Sequence, residues 1–205
     1  MIAPIRRADE SPWGRQLRKV WTTRGARLEA YRRLSRTGTA SRWVVTVASL
    51  LLVCLALADA FGLLGPASAG KPIIDFLAAV GAVTILVVSA MEHGKSYELR
   101  ADRHHQAALL LGRLYDQANG GPVGQDALDR LVAEYNVVLD RFVENHEPID
   151  YEMFAIRQSR DFSTSWLDRM RARVLWHGAS QRPWLIIALV LGMAWVFLRW
   201  AGGSQ

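Results

Sequence analysis

Two long apolar stretches interrupt an otherwise mixed chain, one from Trp43 to Leu64 and one from Pro72 to Met91, joined by a short link containing Gly and Pro. Each approaches the ~20 residues a helix needs to cross ~30 Å of hydrocarbon, so the pattern predicts a transmembrane helical hairpin. A soluble chain of 205 residues rarely hides two adjacent helices of this length with almost no polar face. A third run, uncharged from Pro183 to Leu198, is flanked by Arg182 and Arg199, with Trp184, Trp195 and Trp200 suited to a bilayer interface. It reads as a third, C-terminal transmembrane helix ending outside the cell; an interfacial or oligomer-packing helix is the competing reading.

The remaining segments carry helical periodicity. From Ser11 to about Ser35, Trp13, Leu17, Val20, Trp21, Leu28 and Tyr31 recur at helical spacing, and Ser11-Pro12 supplies a cap and a first helical residue. This predicts a basic amphipathic helix, either a lever on the membrane surface or a packed collar, with Thr22-Thr23 and Gly25 as the place where it would break. Glu92 to Gly120 contains only Gly94 and Gly112 as weak points, so the second span is expected to continue into the cytoplasm as one long or gently kinked helix. Gly120-Gly121-Pro122 ends it. The next helix starts near Asp126 and aligns Leu128, Leu131, Val132, Tyr135, Val138, Leu139 and Phe142. A last helical region, from about Asp150 to His177, sets Phe154, Phe162, Trp166, Met170 and Val174 on one side. The expected fold is an all-α membrane protein: a basic helical region at 1–42, the hairpin at 43–91, a cytoplasmic helical bundle at 92–181 and the C-terminal helix at 182–205.

Charge orients this arrangement. Residues 1–42 hold eleven Arg and Lys against three acids, whereas the link between the apolar runs holds a single Lys, so the N-terminus is expected in the cytoplasm of an inner-membrane protein. That basic segment accounts for more than the whole net charge of +6 and suits anionic lipid headgroups; no nucleic-acid-binding motif accompanies it. Glu92 to His177 is nearly balanced, with eleven cations and fourteen acids. The single cysteine, Cys54, falls inside the first apolar run, where it serves as a small filler.

Candidate chemistry is sparse. His93, His104, His105, His146 and His177 lack HExxH or CxxC spacing, and neighbours on a helix point about 100° apart, so no metal site is expected. There is no phosphate-binding glycine loop and no nucleophile motif. The chain is therefore expected to be no enzyme and to need no cofactor. Polar residues of the apolar runs offer another role: Asp59 and Asp75 lie near the outer ends of their helices, and Thr84 and Ser89 follow on the second. In a homo-oligomer these four are the candidate lining of a pore, the aspartates forming acidic rings at its mouth. Small residues Ala78, Ala79, Gly81, Ala82 and Ala90 permit close helix packing.

Tyr31-Arg32-Arg33-Leu34 before the hairpin, together with Tyr135 and the string Glu144-Asn145-His146-Glu147-Pro148-Ile149-Asp150-Tyr151 after it, resembles the SLATT domain family over roughly Ala26 to Ser165. The resemblance implies a two-transmembrane effector of prokaryotic antiviral or other conflict systems. Such effectors are proposed to form a pore when a nucleotide second messenger, or a partner that makes or senses one, signals infection. No catalytic set comes with the resemblance; Glu144, Asn145, His146, Asp150 and Tyr151 are family-like positions expected to form a polar turn holding one helix end against another, with Asp150 as a helix cap. The third apolar run departs from a two-span pattern. The alternative function is a non-conducting membrane scaffold that recruits a soluble partner through its cytoplasmic helices.

Overall fold

The structure, a computed structural model, describes residues 11–61, 71–121, 124–181 and Trp184. Every element among them is helical: α1 (Pro12–Ala60), α2 (Lys71–Gly94), α3 (Tyr97–Asn119), α4 (Gln125–Arg141), α5 (Pro148–Arg157) and α6 (Trp166–Ser180). The third apolar run, apart from Trp184, lies outside the described residues, as does the link at 62–70.

Two compact units divide the chain. The first comprises Met1–Arg36 with Tyr97–Ser180, the second Thr37–Ser96 with Gln181–Gln205.

α1 opens where the sequence places it. Ser11 Oγ accepts from the Gly14 amide at 3.1 Å, satisfying one of the orphan donors of the first turn. Thr22-Thr23 and Gly25 do not break the helix; Thr22 turns its hydroxyl back to the Lys19 carbonyl (3.0 Å) and Thr23 meets the Tyr135 hydroxyl across to α4 (3.0 Å). Gly25 is there for space. A Cβ on it would sit 2.1 Å from the Phe154 ring, so α5 can lie against α1 only because this position has no side chain.

Within the first unit α1 serves two apolar cores. Val20 joins Leu111, Leu114, Leu131 and Tyr135, with Trp13 and Leu17 at its margin. Trp21, one residue on and about 100° round the helix, packs on the other core of Met153, Phe154, Ile156, Phe162, Ala172 and Trp176. Its ring meets Phe154 edge-on at 4.9 Å and stacks on Phe162 at 6.1 Å. The basic helix is thus a packed element with apolar contacts on more than one face.

Three expectations need correction. The helix continuing out of the second apolar run stops: α2 ends at Gly94, Ser96 takes a left-handed φ of 46°, and α3 begins at Tyr97. A left-handed serine cannot extend an α-helix. The uninterrupted helix is instead α1, which carries its helical hydrogen bonding from the basic segment into the first apolar run. Second, the region from Asp150 to His177 is two helices. Ser165 and Asp168 form a reciprocal cap, Ser165 Oγ accepting from the Asp168 amide (3.1 Å) and the Asp168 carboxylate from the Ser165 amide (3.1 Å), which starts α6 afresh. Third, Trp166, Met170 and Val174 of the expected inward stripe are exposed by 66%, 45% and 63%; the buried face of α6 is Ala172, Trp176 and Ser180.

In the second unit, one helix among the described residues, α1, is long and apolar enough to cross a membrane. Ala40, Ser41 and Val44 are buried, but Leu50, Leu51, Val53 and Leu57 are each more than half exposed, as are Phe76, Val83 and Leu86 of α2. Side chains this apolar on uncovered helices need lipid or protein around them. α1 and α2 approach at Gly81, where a Cβ would rest 3.4 Å from Leu52, an ordinary contact.

Candidate functional site

The most unusual feature of the first unit is how much charge it buries. Arg27, Glu29, Arg33, His104 and Asp150 are each 6% exposed or less, although charged side chains are almost never fully buried without partners. α1 supplies the first three because helical spacing brings them onto the faces that also bury Ala26, Ala30 and Leu34.

Arg33 makes the central contact. Its Nε donates to Asp150 Oδ1 at 2.8 Å and its Nη2 to Oδ2 at 3.0 Å, a bidentate pair between α1 and the start of α5. Nη2 also reaches Glu147 Oε1 at 2.9 Å. Burial pulls the Arg33 guanidinium down, but the hydrogen bonds and charge of Asp150 and the charge of Glu147 outweigh it and leave the pKa raised. The cap of α5 is Glu147, not Asp150 as expected. Asp150 is the third helical residue, and its carboxylate accepts from the Glu147 amide (3.1 Å) while Pro148 fills the first turn. One carboxylate therefore both closes the helix start and holds α1.

A second group lies beside it. Arg27 donates through Nη2 to the Phe142 carbonyl at 3.0 Å, the chain end of α4. Burial lowers its pKa, offset in part by Tyr135 and Glu144. Arg100 of α3 pairs with Glu144. His104, also on α3, feels Glu144, Arg27, His146 and Arg100, and burial above all holds its pKa down to about 4. The His146 pKa is lowered too, by burial and then by Arg27. Arg27 Nε, His104 Nδ1 and His146 Nδ1 are buried and have no hydrogen-bond partner among the described residues. Tyr31 lies against His105 with ring centroids 4.7 Å apart and planes tilted by 33°. Glu29 binds Arg32 (2.5 Å) and Arg157 (3.4 Å), and Arg157 and Arg36 both lie over the Trp176 ring, at 5.9 and 5.0 Å.

The segment around Arg33 and the segment at 144–151 thus meet through Arg33 on one side and Glu147 and Asp150 on the other, while Tyr31 and Glu144 each turn to α3, to His105 and Arg100. Tyr151 is half-buried against Phe162 (6.0 Å), its hydroxyl pushed up by burial, and Asn145 is exposed. Arg27, Glu29, Arg100 and His104 had no place in the sequence argument as members of this network. The available signal was their spacing: cations at positions 27 and 33 fall among the small residues of α1, where a lipid-facing surface would not put them. Part of the N-terminal positive charge is spent inside the fold and not on headgroups.

A buried neutral histidine makes stability depend on pH. The unfolded imidazole titrates near 6.5 and the folded one near 4, so the unfolded chain binds more protons between these values. The contribution is complete above pH 6.5 and is lost as pH falls toward 4, a swing of about 3 kcal/mol. Thermal unfolding of the full chain in detergent should show this loss between pH 7 and 4, and His104→Gln should flatten that part of the profile; an unchanged profile would remove His104 as its source.

Of the four candidate lining residues, Thr84 turns its hydroxyl to the Val80 carbonyl (2.8 Å), satisfied within α2, and Ser89 is half-buried. The side chains of Asp59 and Asp75 lie outside the described residues. No three His, Cys, Asp or Glu among the described residues converge as a metal-ligand set. A groove of about 690 Å³ opens between Trp13, Leu114, Gln117, Gln125, Arg130 and Glu134, bearing both signs of charge.

No curated protein and no solved structure matches this chain. The family model described as SMODS and SLOG-associating 2TM effector domain family 5 does, over residues 10–198, spanning the polar network, the apolar helices and most of the C-terminal run. With nearly the whole chain matched, the protein belongs to this family of two-transmembrane effector domains.

Proposed function

We propose that the chain is a non-enzymatic, homo-oligomeric effector of a prokaryotic conflict system. It opens or gates a pore in the inner membrane when its cytoplasmic helices receive a nucleotide or partner signal. The observation that carries this reading is α1, a single helix with both a buried polar network and an apolar, exposed stretch on it. A signal that changes the packing around Arg27 and Arg33 acts on the same helix that enters the lipid. α1 and α2 form the transmembrane hairpin in this proposal, with the N-terminus in the cytoplasm and 182–205 as a third crossing. The family's description as SMODS- and SLOG-associating supports a partner that makes or senses a nucleotide messenger.

The test uses the full chain in dye-filled vesicles, brought together by an appended chemical dimeriser. Dye release on dimerisation is the expected result. Asp75→Asn should alter the release, and release indifferent to that change would take Asp75 out of the lining. Co-purification of a soluble partner with no release under any stimulus would replace the pore with a scaffold.

A further inference from the structure

The outer face of α6 is apolar, although the helix is already anchored through its other side. Met170 and Val174 each lie about 200° around the helix from the buried Ala172 and Trp176 two residues on, so they point away from the core. Trp166 and Leu167, exposed by 66% and 68%, extend the same stripe toward the helix start. Arg171 and Arg173 are exposed along its margins, whereas Arg169, seven residues before Trp176, is exposed above the buried side. Asp168 is the only acid of the helix, and its carboxylate is taken up in the cap with Ser165.

We infer that this face of α6 lies in the headgroup region of an anionic bilayer, its tryptophan, leucine, methionine and valine among the upper acyl chains and its arginines on lipid phosphates. Charge selects this occupant over a second copy of the chain. A self-complementary contact would bring Arg171 and Arg173 of both copies together with Asp168 as the one acid of each helix, an excess of cations that anionic lipid neutralises. The onward chain agrees: the uncharged run from Pro183 to Leu198 begins three residues after Ser180 in the sequence, and a basic amphipathic helix beside an apolar run suits the interface. The inference rests on the chain being membrane-inserted, as proposed above.

The experiment separates the two. The full chain is placed in nanodiscs of phosphatidylcholine with phosphatidylglycerol and spin-labelled either at its native Cys54 or, in a Cys54→Ser background, at Val174→Cys. Asp129→Cys on α4 serves as a water-exposed reference. The expected result is that molecular oxygen relaxes the label at 174 more than a water-soluble nickel chelate does. Arg171→Gln or Arg173→Gln should each lower the docked fraction's ratio to the undocked by about fivefold, as should removal of phosphatidylglycerol in proportion. A label at 174 as open to nickel as the one at 129, with Cys54 in lipid, overturns the inference and leaves the membrane reading intact. A label at Cys54 in water overturns both. Spin–spin broadening between labels at 174, with no response to lipid charge, assigns the face to a second copy instead.

Discussion

Asp150→Ala is expected to destabilise the full chain by about 3–5 kcal/mol, the cost of stranding a buried cation. Arg33 loses both strong hydrogen bonds at once, and the Glu147 with which it also pairs is itself half exposed. The start of α5 loses its reciprocal cap in the same step, since the same carboxylate accepts from the Glu147 amide. Asp150→Asn tests the charge apart from the shape: it keeps one acceptor for the guanidinium but removes the bidentate geometry, and should fall between the alanine variant and the parent. The double variant Arg33→Met/Asp150→Leu should recover much of the loss, because an apolar pair of similar volume replaces two desolvated charges. Thermal unfolding in detergent, followed by tryptophan fluorescence, reads all of these. A double variant as unstable as Asp150→Ala would mean that the pair contributes more than mutual compensation.

The second large effect is expected at Gly25. A valine there drives its Cβ into the Phe154 ring from 2.1 Å, and the ring cannot withdraw because Trp21 and Phe162 pack on it. Overpacking of a full core costs about 1–3 kcal/mol and more where, as here, the obstruction is an aromatic ring in a rigid cluster. Phe154→Ala alone should cost about 3–5 kcal/mol through lost burial and the cavity it leaves. Combined, the two changes should cost clearly less than their sum, since the valine occupies space the phenylalanine vacated. Strict additivity in that cycle would show that α1 and α5 do not meet at this point in solution. Helix propensity works in the opposite direction, favouring a side chain over glycine by up to about 1 kcal/mol, so a net loss on substitution is itself informative.

Much of the helical content was legible because periodicity is a local property. The start of α1 at Ser11-Pro12, the face of α4 around Leu131 and Tyr135, and the stop before Pro148 all follow from residues within a turn or two of each other. The polar network was not legible in the same way. Arg33 and Asp150 are 117 positions apart, and nothing near either says that the other will be its partner. Gly25 was legible as a weak point in a helix and illegible as a contact surface. The stripe on α6 shows a different limit: spacing grouped Phe154 and Phe162, which are buried outside α6, with Trp166, Met170 and Val174, which share an exposed face of it, because periodicity alone does not say where one helix ends or whether a face looks toward the core. Ala172, with a small side chain, marks the close-packed side better than the larger apolar residues do.

The two ends of the apolar pair enter the first unit's sequence by unlike routes, one along an unbroken helix and the other across Lys95 and the left-handed Ser96. Helical phase is therefore conserved along α1, where one inserted residue turns everything downstream by about 100° about the axis. At Lys95-Ser96 the α-helix is interrupted, α2 ending at Gly94 and α3 starting afresh at Tyr97. Length changes in this chain have a natural place to be absorbed, and it is on the returning arm.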